Sequence, residues 1–395
     1  MTDATPTAPA TPTAPATPTA PTAPGGSRPL RAAIIGTGAI AHAHAQALAD
    51  LAPRIALVAV VDVDVDRAAA FAQRFGAAVV HADVAALLDA ERLDLVHICT
   101  PPQTHVPLAI AALRAGVAAL VEKPTALNLA EMDELVAVSR ETGVPALTVF
   151  QHRFGGAAQR LQALVAAGVL GRPLVATCET LWHRTPDYFD LPWRGRWDIE
   201  GGGPTMGHGI HQFDLLLAVL GPWARLTAFA ARQSLPTDTE DVSMALVEFD
   251  NGALATVVNS IVSPRETSRL RFDFEYATVE VEHLYGYTDA DWTFTPAPGH
   301  EHLAAQWTTD GGTDVSGHRG QLAAIVDALS AGETPAVAAE DARRTLEFAA
   351  ATYASAFRGV PIRAGEITGD DPFRHAMHGG AVPWPPYEPA REDAR

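Results

Sequence analysis

One turn constrains this chain more than any other feature. An apolar run at 32–35 leads directly into Gly36-Thr37-Gly38-Ala39-Ile40-Ala41. A first glycine permits a tight turn at the end of a buried strand, and a second lets another molecule approach the bare backbone. A small residue in third place lets the next helix lie close to the strand. The turn therefore demands a strand before it and a helix after it, and 40–51 has helical character. Further apolar runs follow at 55–61, 77–80, 95–99, 118–121 and 146–150, separated by helix-like stretches near 66–75, 83–90, 104–115 and 128–142. Continuous apolar strands alternating with helices predict a parallel sheet covered on both faces, here a doubly wound domain over 28–150.

A glycine turn of this kind places a diphosphate at the positive end of the following helix. Asp62 closes the second apolar run, about 20 residues past the turn, where a carboxylate accepts from the adenosine ribose hydroxyls and repels a 2′-phosphate. Asp64 and Asp66 come next and suit capping of a helix; Arg67 follows only after them. NAD is expected rather than NADP, held by Gly36, Thr37, Gly38, Ala39, Ile40 and Asp62.

Ligands of such sheets bind beyond the carboxyl ends of the strands. Thr100-Pro101-Pro102-Gln103-Thr104-His105 follows the fourth run, and Thr100, Pro101 and His105 are expected at the cofactor, with a helix-surface role for His105 equally open. Glu122-Lys123-Pro124 follows the fifth, where proline keeps Lys123 out of helical geometry. Of 28 basic residues, Lys123 is the one lysine and the other 27 are arginines. Unlike arginine, a lysine can lose its proton when desolvated. Gln151 and Arg153, just past the sixth run, are placed to face the same cleft.

The second half reads differently. Runs near 173–183, 224–233, 241–250, 253–262 and 269–282 are rich in β-branched and aromatic residues, and Asp250-Asn251-Gly252 signals a hairpin. Helices are expected at 156–167, 204–220, 318–331 and 340–357, the last packing back on the first domain. The helix from Pro204 to Leu220 has Met206, Ile210, Phe213, Leu217 and Leu220 as its buried stripe and His208, His211 and Asp214 along a neighbouring face. No third ligand stands near His208 and His211, so no metal is expected. Residues 179–200 hold three of the chain's seven tryptophans and three arginines. Aromatic faces pack on sugar C–H faces and guanidinium groups donate to hydroxyls, so Trp182, Arg184, Tyr188, Arg194 and Trp197 are candidate substrate contacts. An oligomer contact explains any single one of them nearly as well. Trp307 and His318 are lesser candidates.

Taken in order, the glycine turn, Thr-Pro-Pro-x-x-His, Glu122-Lys123-Pro124 and the Gly-Gly-Gly segment leading to Gly209-Ile210-His211 resemble the Gfo/Idh/MocA oxidoreductases, a family that includes glucose–fructose oxidoreductase and inositol dehydrogenase. The resemblance spans about residues 30–365 and implies a Rossmann domain followed by an α/β domain with a large, open, mainly antiparallel sheet. That sheet would carry the substrate pocket and a homodimer or homotetramer interface. The family's catalytic lysine maps onto Lys123 and its histidine onto His211. The acid that usually precedes that histidine by four residues has no counterpart, because Gly207 stands there.

The expected chemistry is oxidation of a secondary hydroxyl of a sugar, inositol or related polyol, or reduction of the matching ketone. Lys123, Arg153, His208 and His211 would contact substrate beside the aromatic segment, and Glu122 and Gln151 the cofactor. An ordinary imidazole is a ready base near neutral pH, which favours His211 as base and Lys123 as the group that binds the same oxygen; the reverse holds if burial and nearby arginines depress the lysine. A redox-neutral enzyme that recycles NAD, such as an oxidation–elimination glycosidase or an epimerase, and a non-catalytic NAD-binding regulator stand as alternatives.

The net charge of −18 argues against nucleic acid or an anionic membrane as partner, and no apolar run reaches the length of a membrane helix. Two distant cysteines give no disulfide framework, which suits the cytoplasm. Residues 1–27, a Thr-Pro-Ala repeat, and the Pro-rich 366–395 read as tails, leaving 151–365 as the second domain.

Overall fold

The computed structural model describes residues 28–307 and 315–385. Six strands, β1 (Leu30–Ile35), β2 (Ile55–Val61), β3 (Val79–His81), β4 (Leu95–Ile98), β5 (Ala118–Val121) and β6 (Ala146–Thr148), form a parallel sheet in the order β3-β2-β1-β4-β5-β6. All six lie within or across the apolar runs of the sequence. Buried residues of β1 alternate between two cores, Ala33 and Ile35 in one, Ala32 and Ile34 in the other, so both faces of the sheet are covered. The strand order reverses between β1 and β4, which opens a crevice at their carboxyl ends. Helix starts are fixed by side chains: Asp64, Asp83 and Asn128 accept from the N–H groups of Arg67, Ala86 and Glu131.

The second sheet has eight strands: β7 (Pro173–His183), β8 (Trp223–Ala231), β9 (Val242–Phe249), β10 (Leu254–Ser260), β11 (Val262–Phe274), β12 (Ala277–His283), β13 (Trp292–Pro296) and β14 (Ile362–Arg363). Their order is β13-β12-β11-β7-β10-β9-β8-β14, antiparallel throughout except for the central pair β7–β10. The β9–β10 hairpin turns at Gly252, whose φ of +86° favours a residue without a Cβ. Helices Ile210–Leu220 and Ala339–Arg358 pack on the inner face through Ile210, Phe213, Leu216 and Phe348. The outer face leaves Val175, Phe229, Met244, Leu246 and Leu254 exposed.

Helix Ala339–Arg358 works as a strut. As expected, it returns to the first domain, where Arg343 pairs with Asp133 at 2.9 Å and Glu340 with Arg140 at 3.0 Å. Its far end holds the second sheet, with the Ala228 N–H donating to Ser355 Oγ at 3.0 Å. Residues 366–385, expected to belong to a tail, are built into the fold: Phe373 and Met377 are buried, Arg374 pairs with Asp133 at 3.0 Å, and Trp384 Nε1 donates to the Asp238 carbonyl at 3.0 Å. Proline content suggested a tail, but these apolar anchors and the ion pairs of Arg374 with Asp133 and Asp371 with Arg358 hold the segment down. The expected tails 1–27 and 386–395 lie outside the described residues. Among the described residues no helix is long and apolar enough to cross a membrane.

Candidate active site

The glycine turn forms as its spacing predicts. Gly36 has φ +88°, and a Cβ there would stand 2.8 Å from the Cys99 carbonyl oxygen at the end of β4, so both conformation and space demand glycine. A Cβ on Gly38 would meet nothing within 4 Å, so the peptide backbone lies open to an approaching diphosphate at the start of helix Ala41–Asp50. The residues present thus fit a dinucleotide. Thr37 donates to Asp62 through its N–H at 2.7 Å and its hydroxyl at 2.8 Å, and the Asp64 N–H donates at 2.9 Å. Arg67 reaches back to the same carboxylate at 2.6 Å. Burial pushes this carboxyl up, but the Arg67 guanidinium and the N–H groups of Asp64 and Thr37 outweigh burial and hold its pKa at about 2. Arg67, given no cofactor role from its place in the sequence, belongs to this wall with His42, Phe71 and Arg74 around a cavity of about 310 Å³.

Two expected cofactor contacts are corrected. His105 is buried, with Nδ1 2.8 Å from the Pro124 carbonyl and Nε2 2.8 Å from the Thr100 carbonyl. It ties the segment after β4 to the one after β5 and presents no free ring nitrogen to a ligand. Glu122 is buried as well: Oε1 accepts from His44 Nε2 at 2.9 Å and His318 Nε2 at 3.1 Å, and Oε2 from the Lys123 N–H at 3.1 Å. Burial raises this carboxyl, yet the hydrogen bonds from His318 and His44 carry it well below the usual range. His97 Nδ1 lies 2.8 Å from His44 Nδ1 and extends the network. His44, Glu122 and His318 place their ligand-type atoms within 4.8 Å of one another, and those atoms already satisfy each other as hydrogen bonds behind Lys123. Thr100, bonded to the Thr104 hydroxyl at 2.7 Å, and Pro101 remain at the strand ends as expected.

Lys123 follows β5, joined to Pro124 by a cis peptide bond. Its Nζ donates to the Gly207 carbonyl at 2.8 Å. That carbonyl belongs to a π-helical turn, Thr205–Gly209, which opens the otherwise regular helix Ile210–Leu220. π-turns inside α-helices recur at functional sites, because they re-aim backbone groups. Burial lowers the pKa of Lys123; Glu122 opposes this and Arg194 adds to it. One turn on, His211 is buried, and neither ring nitrogen has a hydrogen-bond partner among the described residues. Burial, then Lys123 and His152, hold it well below the usual histidine value.

The aromatic segment supplies one wall. Trp182 meets the edge of His208 at 5.0 Å, and Arg184 lies over Trp182 at 4.9 Å and Tyr188 at 5.4 Å. Arg194 donates to the Tyr188 hydroxyl and pairs with Glu200 at 3.1 Å. Gln151 donates to the Tyr285 hydroxyl. The structure thus gathers Trp182, Arg184, Tyr188, Arg194 and His208 around one another, and both Lys123 and His208 feel the charge of Arg194.

Two expectations fail on geometry. Trp197 turns to the strut, packing on Tyr353 at 5.2 Å and His378 at 5.6 Å while Nε1 donates to the Asp238 carbonyl at 2.9 Å. Arg153 is locked to Asp214 by two hydrogen bonds of 2.6 and 2.5 Å. Asp214, which also accepts from Thr345 at 2.8 Å, is spent on that pair and gives His211 no acid. Of the lesser candidates, His318 backs Glu122, and Trp307 stacks on Phe294 at 5.2 Å. His152, Tyr285 and Glu200 were missed. The first stands between two residues that the sequence did single out; Tyr285 follows β12 in a loop that carries no motif.

Comparison with known proteins agrees with this geometry. Residues 30–150 match the model of an oxidoreductase family with an NAD-binding Rossmann fold, and residues 158–280 match the GFO/IDH/MocA C-terminal domain. The chain is 28% identical over 375 residues to D-apiose dehydrogenase of Paraburkholderia graminis, covering 89% of this chain and 94% of that one. It is 30% identical over 283 residues to D-glucoside 3-dehydrogenase of Escherichia coli, covering 66% and 79%. The fold is that of the WlbA dehydrogenase from Bordetella pertussis, with TM-score 0.75 at 24% identity over 85% of this chain and 99% of that one. With both of its domains matched, this chain belongs to the Gfo/Idh/MocA family of NAD-binding oxidoreductases.

Proposed function

We propose that the protein oxidises a secondary hydroxyl of a sugar, inositol or related polyol, or reduces the matching ketone. The observation that carries this reading is Lys123 Nζ held 2.8 Å from the Gly207 carbonyl, one helical turn before a buried His211 with both nitrogens free of partners. The names of the relatives, dehydrogenases of D-apiose and of D-glucosides, support the substrate class. Bound NAD would lie along Gly36–Ala39 with its adenosine ribose at Asp62, and supplies a hydride acceptor. Asp62, which now accepts from Arg67, would hold those ribose hydroxyls, and Arg67 would have to yield part of the carboxylate to them.

The proton remains for the chain's own groups. An ordinary histidine pKa made His211 the cheaper base, but burial and Lys123 take it well below that value and leave a weak base. Burial and Arg194 lower Lys123 too, and for a lysine that is the direction of a group able to accept a proton. Lys123 therefore takes the hydroxyl proton, and neutral His211 orients the oxygen that loses it. The outer face of the second sheet is the surface for a second copy of the chain. Cys99 and Cys178 are free and buried, which suits a reducing cytosol.

Lys123→Met tests the assignment. We expect NAD binding by fluorescence titration to persist while turnover falls by at least about 100-fold, the scale of a lost acid–base group. Near-normal turnover would remove Lys123 from the chemistry. A panel of sugars and inositols scored for NADH formation, with product analysis alongside, identifies the reaction; product without net NADH would point to a redox-neutral cycle instead.

A further inference from the structure

The most concentrated unmet hydrogen-bonding capacity around His211 belongs to a residue that the mechanism does not use. His152 sits on the short turn Gln151–Phe154 just after β6, and it is 1% exposed. Its ring packs on Tyr287 at 4.7 Å, on Tyr285 at 5.2 Å and on His211 at 5.2 Å. These contacts fix the ring, and none of them is a hydrogen bond. Nδ1 and Nε2 of His152, like both nitrogens of His211, have no partner among the described residues. Four buried polar nitrogens without partners in two touching rings carry a desolvation cost that a bound molecule would cancel.

The protonation state narrows what that molecule is. Burial and then Lys123 hold the His152 pKa at about 3, and His211 is also far below its usual value, so both rings are neutral at neutral pH. Each neutral imidazole offers one N–H donor and one lone pair. A hydroxyl, which both donates and accepts, matches that pattern. A carboxylate or phosphate only accepts, and would leave a lone pair facing a negative charge. Two such rings in contact suit two hydroxyls borne on adjacent carbons. Gly207 offers no side chain to hold the second hydroxyl, and its carbonyl is taken by Lys123.

We propose that His152 binds the hydroxyl next to the one oxidised, so that the unit recognised at this site is a vicinal diol. The inference rests on the sugar or polyol reading above and gives that site its substrate class. His152 is then a specificity-determining residue in contact with substrate.

The test compares a vicinal polyol that the wild-type protein turns over with its deoxy analogue lacking the neighbouring hydroxyl. Wild type should prefer the diol by at least about tenfold in kcat/KM, as sites built to hydrogen-bond a hydroxyl do. In His152→Phe, which keeps the ring contacts, that preference should collapse toward one, chiefly through KM for the diol, with NADH binding unchanged. His152→Gln, which restores one donor and one acceptor, should recover part of it and serves as the readout if the Phe variant does not fold. An unchanged preference in the variants, or wild-type turnover of diol and deoxy analogue alike, overturns the role of His152 while leaving the oxidoreductase reading intact. A panel in which no sugar or polyol is bound or turned over overturns both.

Discussion

At Lys123 the ammonium group donates to the neutral carbonyl of Gly207, the position that the resemblance gives to a carboxylate and this sequence leaves without one. The difference has an electrostatic consequence. An opposite charge within about 4–6 Å favours the charged form of a base, and Gly207 supplies none. Burial therefore lowers Lys123 and His211 with only the backing carboxylate of Glu122 and the partly paired Glu200 in opposition. A Cβ at 207 would meet nothing within 4 Å, so Gly207→Asp should be accommodated. Its carboxylate should raise the pKa of both neighbours, and the base then stays protonated to a higher pH. The acid limb of the pH profile of kcat/KM should move upward by about one unit; a limb that stays in place would show that position 207 does not communicate with the base. The place of Lys123 was legible from composition alone, since one lysine among 27 arginines, fixed ahead of a proline, is hard to miss. His152 was not. It is one of three consecutive polar residues, and which of Gln151, His152 and Arg153 turns toward His211 depends on a short turn whose shape no periodicity encodes.

The element that brings these groups together is the helix running from Gly203 to Leu220. Of the stripe that its spacing predicts, Met206, Ile210, Phe213 and Leu220 are buried and Leu217 is half-buried. The π-turn at its start is invisible to that spacing, because one extra residue in a turn leaves the later 3.6-residue pattern intact. What fixes the turn is a buried carboxylate: Glu240 accepts from the N–H groups of Gly203 at 3.0 Å and Thr205 at 3.1 Å and from the Tyr353 hydroxyl at 2.8 Å. Gly203 is pressed against the same residue, and a Cβ there would lie 2.0 Å from the Glu240 carbonyl oxygen. Gly203→Ala must push the helix off its cap. We expect a loss of about 1–3 kcal/mol in thermal or denaturant unfolding, typical of overpacking, together with a fall in kcat as the Gly207 carbonyl shifts from Lys123. A variant with wild-type stability and activity would show that the cap does not position the turn.

For the whole molecule, the six strands of the parallel sheet were readable from apolar runs and the hairpin at Gly252 from its turn residues, but in the second sheet the run 269–282 divides between β11 and β12, and β13 and β14 were not foreseen. The order of the eight-stranded sheet was not foreseen either, since the parallel pairing of β7 with β10 joins segments far apart in sequence. Its outer face pairs Phe229 with Met244 and sets Leu246 between Thr227 and Thr256, and Phe229, Met244 and Leu246 are all exposed there. Exposed patches of this kind mark interaction sites, and a two-fold dimer would use the same patch on both copies. Leu246→Glu should therefore convert an oligomer into monomers in sedimentation velocity without disturbing NAD binding. A wild-type chain that sediments as a monomer would remove the face from that role.

The strut carries a consequence in time. Asp133, on a helix of the first domain, waits for Arg343 and Arg374, and the β6 edge meets the chain again at Ala338. During synthesis these partners leave the ribosome well after the first sheet. A nascent chain long enough to contain the whole nucleotide-binding sheet still lacks the residues that close its edge, so the first half of the protein completes its fold only after nearly all of the second half has been made.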